Sequence, residues 1–268
     1  MRYSAQKAGR EMQSSLTVLA MAAHPDDIEF LMSGTLLLLK QAGAEIHVCN
    51  LANGCYGSEV MSKEETARVR AGEAQASAEL AGAIWHPSLF DDLGIFYDAS
   101  SLAKVTAVVR RIQPDIILTL PLRDYMEDHC LAARLTCSAA FNRGVPNYVS
   151  DPPVASYSRP VAIYHSLPHS MMDMERTPAV PEFAVDVSSV MAMKEAMLAK
   201  HASQREWLDA TQGMSSYIDN MISAMQDVAL RFSAFSYAEG WTRHNPTGYC
   251  SAEFDPLRQL LSGYCMSV

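Results

Sequence analysis

The most constraining feature of this chain is an unbroken apolar run at 16–23, LTVLAMAA, that ends abruptly on His24-Pro25-Asp26-Asp27. The run is too short for an ordinary helix and lacks the alternation of a half-solvated strand. It therefore reads as a strand buried on both faces, in the middle of a parallel sheet. Such a sheet needs helices on both sides, and the rest of the sequence supplies them in alternation. An apolar helix over about 31–42, stopped by Gly43, precedes a strand at 45–51. Ser62 followed by Glu65 is a capping box for a helix over roughly 63–82. Further strands read at 83–90, 115–120, 161–167 and 182–187, with helices at 100–112, 128–142, 189–210 and 214–232. The segment 144–160, rich in Pro, Ser, Tyr and Asn, reads as a surface excursion. This order predicts an α/β fold: a single Rossmann-like domain over 16–268, mostly parallel sheet with helices on both faces, after an N-terminal extension at 1–15.

Charge removes several classes of function. The formal net charge of −9 disfavours non-specific binding to nucleic acid or to an anionic membrane surface, and leaves a neutral substrate open. No apolar run has the length of a bilayer span, and residues 1–15 carry positive charge without the apolar stretch of a secretory signal. The six cysteines form no C-x-x-C pair, which fits reduced thiols and a cytoplasmic location.

In open α/β sheets ligands bind beyond the carboxyl ends of the strands, where strand order reverses. Two charged clusters fall at such ends: His24-Asp26-Asp27 after the first strand, and Arg123 to His129 after the fourth. First and fourth strands are neighbours in the commonest doubly wound order, so the clusters are expected to face one another. His24, Asp27 and His129 are then a ligand set for a catalytic divalent metal such as zinc. Asp26 is left beside the metal as a general base, and Glu127 and Asp128 are placed to orient His129. Paired aspartates at a helix start also serve as caps, so spacing alone leaves a purely structural role open. The absence of G-x-G-x-x-G after the first strand argues against a dinucleotide site.

Ala23-His24-Pro25-Asp26-Asp27 directly after a hydrophobic strand resembles the signature of the PIG-L/LmbE family of zinc-dependent N-deacetylases. Ile28-Glu29, Gly34-Thr35-Leu36, Leu51-Ala52-Asn53-Gly54, Arg70 with Glu73, Asp128-His129, and Lys194 with His201-Ala202-Ser203-Gln204 resemble its later landmarks in order. The resemblance implies a Rossmann-like fold and removal of an N-acetyl group from an amino sugar or glycoconjugate. It implies Zn2+ on His24, Asp27 and His129, Asp26 as base and later acid, and Arg70 in the substrate pocket. The expected partner is a small N-acetylated sugar or glycoconjugate, with self-assembly left open.

One departure matters. Family members often carry a histidine where this chain has Met126, and a thioether donates no hydrogen bond to an oxyanion. Tyr125, Arg123 and His165 are the substitutes within reach of the same strand ends, and His165 is favoured; Arg123 and Tyr125 otherwise read as substrate contacts. Asp91, Asp92 and Asp98 border the same crevice, and Met171, Met172 and Met174 are positioned to cover it. His201 and Gln204 read as packing residues. The competing readings are a de-N-acylase or amidase for a non-sugar amide, and a metal- or sugar-binding relative with weak catalysis.

Overall fold

The computed structural model describes residues 15–212, 217–233 and 235–267. The expected extension at 1–15 lies outside the described residues except for its last position. The apolar run forms β1 (Thr17–Ala22), in which Val18 to Ala22 are fully buried. It is followed by α1 (Asp27–Leu31), α2 (Ser33–Gln41), β2 (Glu45–Asn50), α3 (Lys63–Leu80), β3 (Ile84–His86) and α4 (Ala99–Ile112). Next come β4 (Ile116–Thr119), α5 (Glu127–Asn142), β5 (Ala162–Ser166) and β6 (Phe183–Asp186). The chain closes with α6 (Met191–Leu198), α7 (Ala202–Gln212), α8 (Tyr217–Phe232), β7 (Ala238–Arg243), α9 (Pro256–Leu260) and β8 (Cys265–Ser267).

Among the described residues the strands make one eight-stranded sheet in the order β3-β2-β1-β4-β5-β7-β6-β8. Strands β1 to β5 pair in parallel, whereas β7 pairs antiparallel with β5 and β6, and β8 antiparallel with β6. The sheet is thus mostly parallel, as expected, with β1 directly beside β4. Strand order reverses between β2 and β4, so the carboxyl end of β1 is the switch point.

Three local differences from the sequence reading have physical causes. The helix expected at 31–42 starts at Asp27 and is broken at Met32, whose φ of −134° is not helical. The long helical pattern at 189–210 is divided at 199–201, where His201 leaves the helix axis; the expected start of the next helix at 214–216 lies outside the described residues. The antiparallel edge was not anticipated, because β7 (AEGWTR) places Glu239 inside and β8 has three residues. The excursion at 144–160 is ordered by Arg110, whose guanidinium is buried and donates to the carbonyls of Asn142, Val145, Tyr148 and Val154. No helix among the described residues is long and apolar enough to cross a membrane.

Candidate metal centre

The turn after β1 is built on a strained residue. Asp26 has φ +121° and ψ −25°, a region that non-glycine residues rarely occupy and that costs about 1–3 kcal/mol. The turn is closed by the Asp27 carboxylate, which accepts from the backbone N–H of His24 at 2.7 Å, and by Asn50, which donates to the His24 carbonyl. Arg70 of α3 braces it from behind, donating to the Pro25 carbonyl at 2.7 Å and to the Gly54 carbonyl at 3.1 Å. Gly54 has φ +65°, and a Cβ there would sit on the Arg70 guanidinium, so this position requires glycine.

Around that turn one donor atom from each of His24, Asp27 and His129 lies within 4.8 Å of the others. His129 Nε2 is 3.4 Å from Asp27 Oδ1, and His24 Nδ1 is 3.6 Å from Asp27 Oδ2. His169, on the turn after β5, brings a third imidazole, with Nε2 3.1 Å from Asp27 Oδ1. The other nitrogen of His24, Nε2, faces Asp92 Oδ1 at 3.1 Å and Asp128 Oδ2 at 3.2 Å. His129 Nδ1 lies 3.1 Å from Asp124 Oδ2, and Asp124 is itself fixed by the backbone N–H of Met126.

The field at this cluster calls for positive charge. Burial alone would depress His24, but Asp128, Asp27 and Asp92 overcome it and push its pKa well above the ordinary value. His129 is likewise opposed by burial yet pushed up to about 9, chiefly by Asp27 and Asp124. Burial would raise the Asp27 carboxyl, and the three imidazoles instead hold it well below the usual range. Asp26 behaves in the opposite sense: burial raises it, with Arg70 only partly offsetting that rise. Two imidazoles and a carboxylate converging in an electronegative, buried turn suit a divalent cation of the zinc class, and the residues present fit one.

The cluster forms the floor of a cavity of about 770 Å³. Phe30, Tyr56, Leu93 and Met171 line it, as do Leu208 of α7 and Tyr217 of α8. Tyr217 reaches the floor, donating to Asp26 Oδ2 at 2.9 Å.

The structure brings together His24, Asp26, Asp27 and His129, and places Arg70 and Tyr125 on the same cavity. Arg70 is 2% exposed; it braces the turn through the two carbonyls, lies 3.8 Å from Asp26 Oδ2 and keeps its Nε without a partner. Arg123 is exposed and does not line the cavity. His165 corrects the expectation of an oxyanion donor: it does not line the cavity, its Nδ1 is 2.7 Å from the Leu120 carbonyl and its Nε2 2.9 Å from His244 Nδ1. Asp124, and not Glu127 or Asp128, faces His129. Asp91 lies at the surface beside Lys63, and Asp98 caps α4. Asp92 borders the cavity, as expected from its place after the third strand. His169 and Tyr217 carry no such expectation, because one stands on an irregular turn and the other on a helix far along the chain; the one legible signal for His169 is its proximity to a strand's carboxyl end.

Comparison with known proteins agrees with this geometry. Residues 19–140 match the family model PIG-L, described as GlcNAc-PI de-N-acetylase, and the matched region contains every residue of the His24, Asp27 and His129 set. Diacetylchitobiose deacetylase from Thermococcus kodakarensis is 28% identical over 195 residues, covering 70% of this chain and 69% of the relative. 4-Oxalmesaconate hydratase from Pseudomonas putida is 27% identical over 202 residues, covering 70% of this chain and 74% of the relative. Among solved structures, N,N'-diacetylchitobiose deacetylase from Pyrococcus horikoshii shares the fold with a TM-score of 0.71 at 23% identity, over 90% of this chain and 88% of that one.

Proposed function

We propose that this chain is a metal-dependent hydrolase that removes the acetyl group from an N-acetylated amino sugar or glycoconjugate. The observation that carries the reading is Asp26, buried, with its pKa raised by that burial, held beside the His24, Asp27 and His129 set in a large cavity. Those three residues would hold the ion, which when bound polarises a carbonyl and acidifies water. Zinc fits this mixed imidazole and carboxylate set.

Each further part of the reaction falls to a side chain. Asp26 takes a proton from the attacking water at the carboxylate oxygen not occupied by Tyr217, and later returns it to the leaving amine. The Tyr217 hydroxyl fixes the rotamer of that carboxylate. Asp124 fixes the His129 ring from its far nitrogen. His169, which lines the cavity with its Nε2 3.1 Å from Asp27 Oδ1, would take the role that Met126 cannot by turning that N–H from Asp27 to the developing oxyanion. Tyr125 and Tyr56, both half in the cavity and half in solvent, offer faces on which a sugar ring can lie.

The hydratase relative poses the main competing chemistry, addition of water to a carboxylated alkene. Among the described residues that line the cavity, Arg70 is the one Lys or Arg, and it donates to two backbone carbonyls behind the turn. A polycarboxylate needs further cationic side chains to pair with, which this lining does not offer, whereas a neutral acetamide needs none. The experiment is a substrate panel on metal-loaded enzyme. Acetate release from N,N'-diacetylchitobiose or other N-acetylglucosamine conjugates is the expected result. Hydration of 4-oxalmesaconate without any acetate release would overturn the reading, and release from simple non-sugar amides alone would move the substrate class.

A further inference from the structure

A second set of donors gathers on α5, outside the cavity, and the proposed reaction does not use it. Cys137 of α5, His165 of β5 and His244 just after β7 converge from three separate elements. Cys137 Sγ lies 4.0 Å from His165 Nε2 and 3.9 Å from His244 Nδ1, and the two ring nitrogens are 2.9 Å apart. His165 and Cys137 are buried, and His244 is half-buried. At ~1.5 Å of rise per residue, Cys137 stands about 12 Å along α5 from His129. The two sets share no residue.

The tautomer of His165 is set from outside the cluster. Its Nδ1 is 2.7 Å from the Leu120 carbonyl, which can only accept, so Nδ1 carries the proton and Nε2 turns its lone pair inward. This is how metal-binding imidazoles are usually oriented. The donor set differs in kind from the one in the cavity, with one sulfur, two imidazoles and no carboxylate. Such a set selects a soft or borderline ion over magnesium or calcium. With zinc–sulfur bonds of ~2.3 Å and zinc–nitrogen bonds of ~2.0–2.1 Å, tetrahedral donors stand about 3.3–3.6 Å apart. The observed separations of 2.9, 3.9 and 4.0 Å lie a few tenths of an ångström on either side of that range.

We propose that Cys137, His165 and His244 form a second metal site, a three-donor site for a zinc-class ion, distinct from the catalytic centre. Binding releases the Cys137 thiol proton to solvent, so the ligand is the thiolate, and water takes the fourth position. The ion fastens α5 to β5 and to the end of β7. Through the Leu120 carbonyl it also steadies the start of the loop that carries Asp124 and Tyr125. The inference does not rest on the deacetylase reading. Without an ion, the same contacts are a hydrogen-bonded chain in which His244 Nδ1–H donates to His165 Nε2.

The test is titration of reduced, metal-free, full-length protein with Co2+, followed in the near-ultraviolet and visible. Two equivalents should bind, and a thiolate-to-cobalt charge-transfer band should appear. Cys137→Ser should lose one equivalent and the whole band, whereas Asp27→Asn should lose the other equivalent and keep the band. His244→Gln, at a half-buried position, gives the same loss if the serine variant does not fold. A wild-type protein without the band, or a band that survives Cys137→Ser, overturns the proposal in favour of the hydrogen-bonded chain. One equivalent with a band retained in Asp27→Asn would instead sink the cavity metal and leave this site standing.

Discussion

The two ends of the short helix α1 both bury charge, and they do opposite things with it. At its carboxyl end Lys194, fully buried, donates to the carbonyls of Glu29 and Phe30 at 2.9 and 2.8 Å and pairs with Glu239 at 2.7 Å. Glu239, also fully buried, accepts in turn from the backbone N–H groups of Gly34 and Thr35 at 2.8 and 2.7 Å, at the start of α2. One positive and one negative charge cancel, each faces the helix end whose dipole it complements, and neither residue lines the cavity. At the amino end Asp26, Asp27, Asp92, Asp124 and Asp128 gather around three imidazoles and the single guanidinium of Arg70. That end is left with excess negative charge facing a cavity. A closed, neutral network holds two helices in place; an open, unbalanced one is prepared to receive a cation and a substrate.

The largest effect should come from breaking the open end at the residue that is not a ligand. Asp26→Asn keeps the shape and can still accept from Tyr217, but it cannot take up a proton. The turnover number should fall by about 10²–10⁴-fold, the usual contribution of general acid–base catalysis. Bound metal, measured by elemental analysis, should stay unchanged. Near-normal turnover in this variant would show that the imbalance at α1 has no catalytic use.

Breaking the closed end should cost stability instead. Lys194→Met leaves Glu239 buried without its counter-charge, and losses of about 3–5 kcal/mol are typical of such orphaned partners. Urea denaturation should show the drop, and adding Glu239→Gln should recover part of it by removing the stranded charge. If Lys194→Met were as stable as the parent protein, the pair would not be the neutral clamp its hydrogen bonds describe.

His169 sharpens the contrast within the open end. Its imidazole is proposed to supply the donor absent at Met126, so His169→Ala should lower the turnover number by about 10²–10³-fold, the loss typical of one oxyanion donor. Metal affinity should change far less, since His24, Asp27 and His129 remain. Loss of metal with no separate loss in the reloaded enzyme would make His169 a fourth ligand and remove it from the oxyanion.

How much of this was legible in the sequence follows from the range of the forces involved. The burial of β1 follows from apolar patterning and its position beside β4 from the commonest doubly wound strand order, and together they bring His24 and Asp27 to His129 across the crevice. Irregular turns follow no such pattern. His169 and Asp92 stand on loops whose course depends on packing, so their approach to Asp27 and His24 left only a faint trace. His165 misled for a related reason: it does arrive at the carboxyl edge of the sheet, but its side chain is committed to Leu120, His244 and α5. The strand β7 was hidden because its buried Glu239 reads as a surface residue until Lys194, far away in sequence, is brought against it.

The smallest effect should come from a pair that is close but not buried. Lys63 Nζ lies 2.6 Å from Asp91 Oδ2, as short as any ion pair at either end of α1, yet both side chains are roughly half exposed at 40% and 50%. Water screens that attraction, and fixing two mobile side chains opposes it, so exposed pairs of this kind contribute little. Asp91 also keeps its contact from the Asn53 amide at 2.9 Å when the lysine is removed. Lys63→Ala should therefore leave the melting temperature unchanged at both low and high salt. A clear drop at low salt that vanished at high salt would mean that proximity alone carries weight in this fold. The difference between the two ends of α1 would then have to be argued from distance, and not from burial and balance.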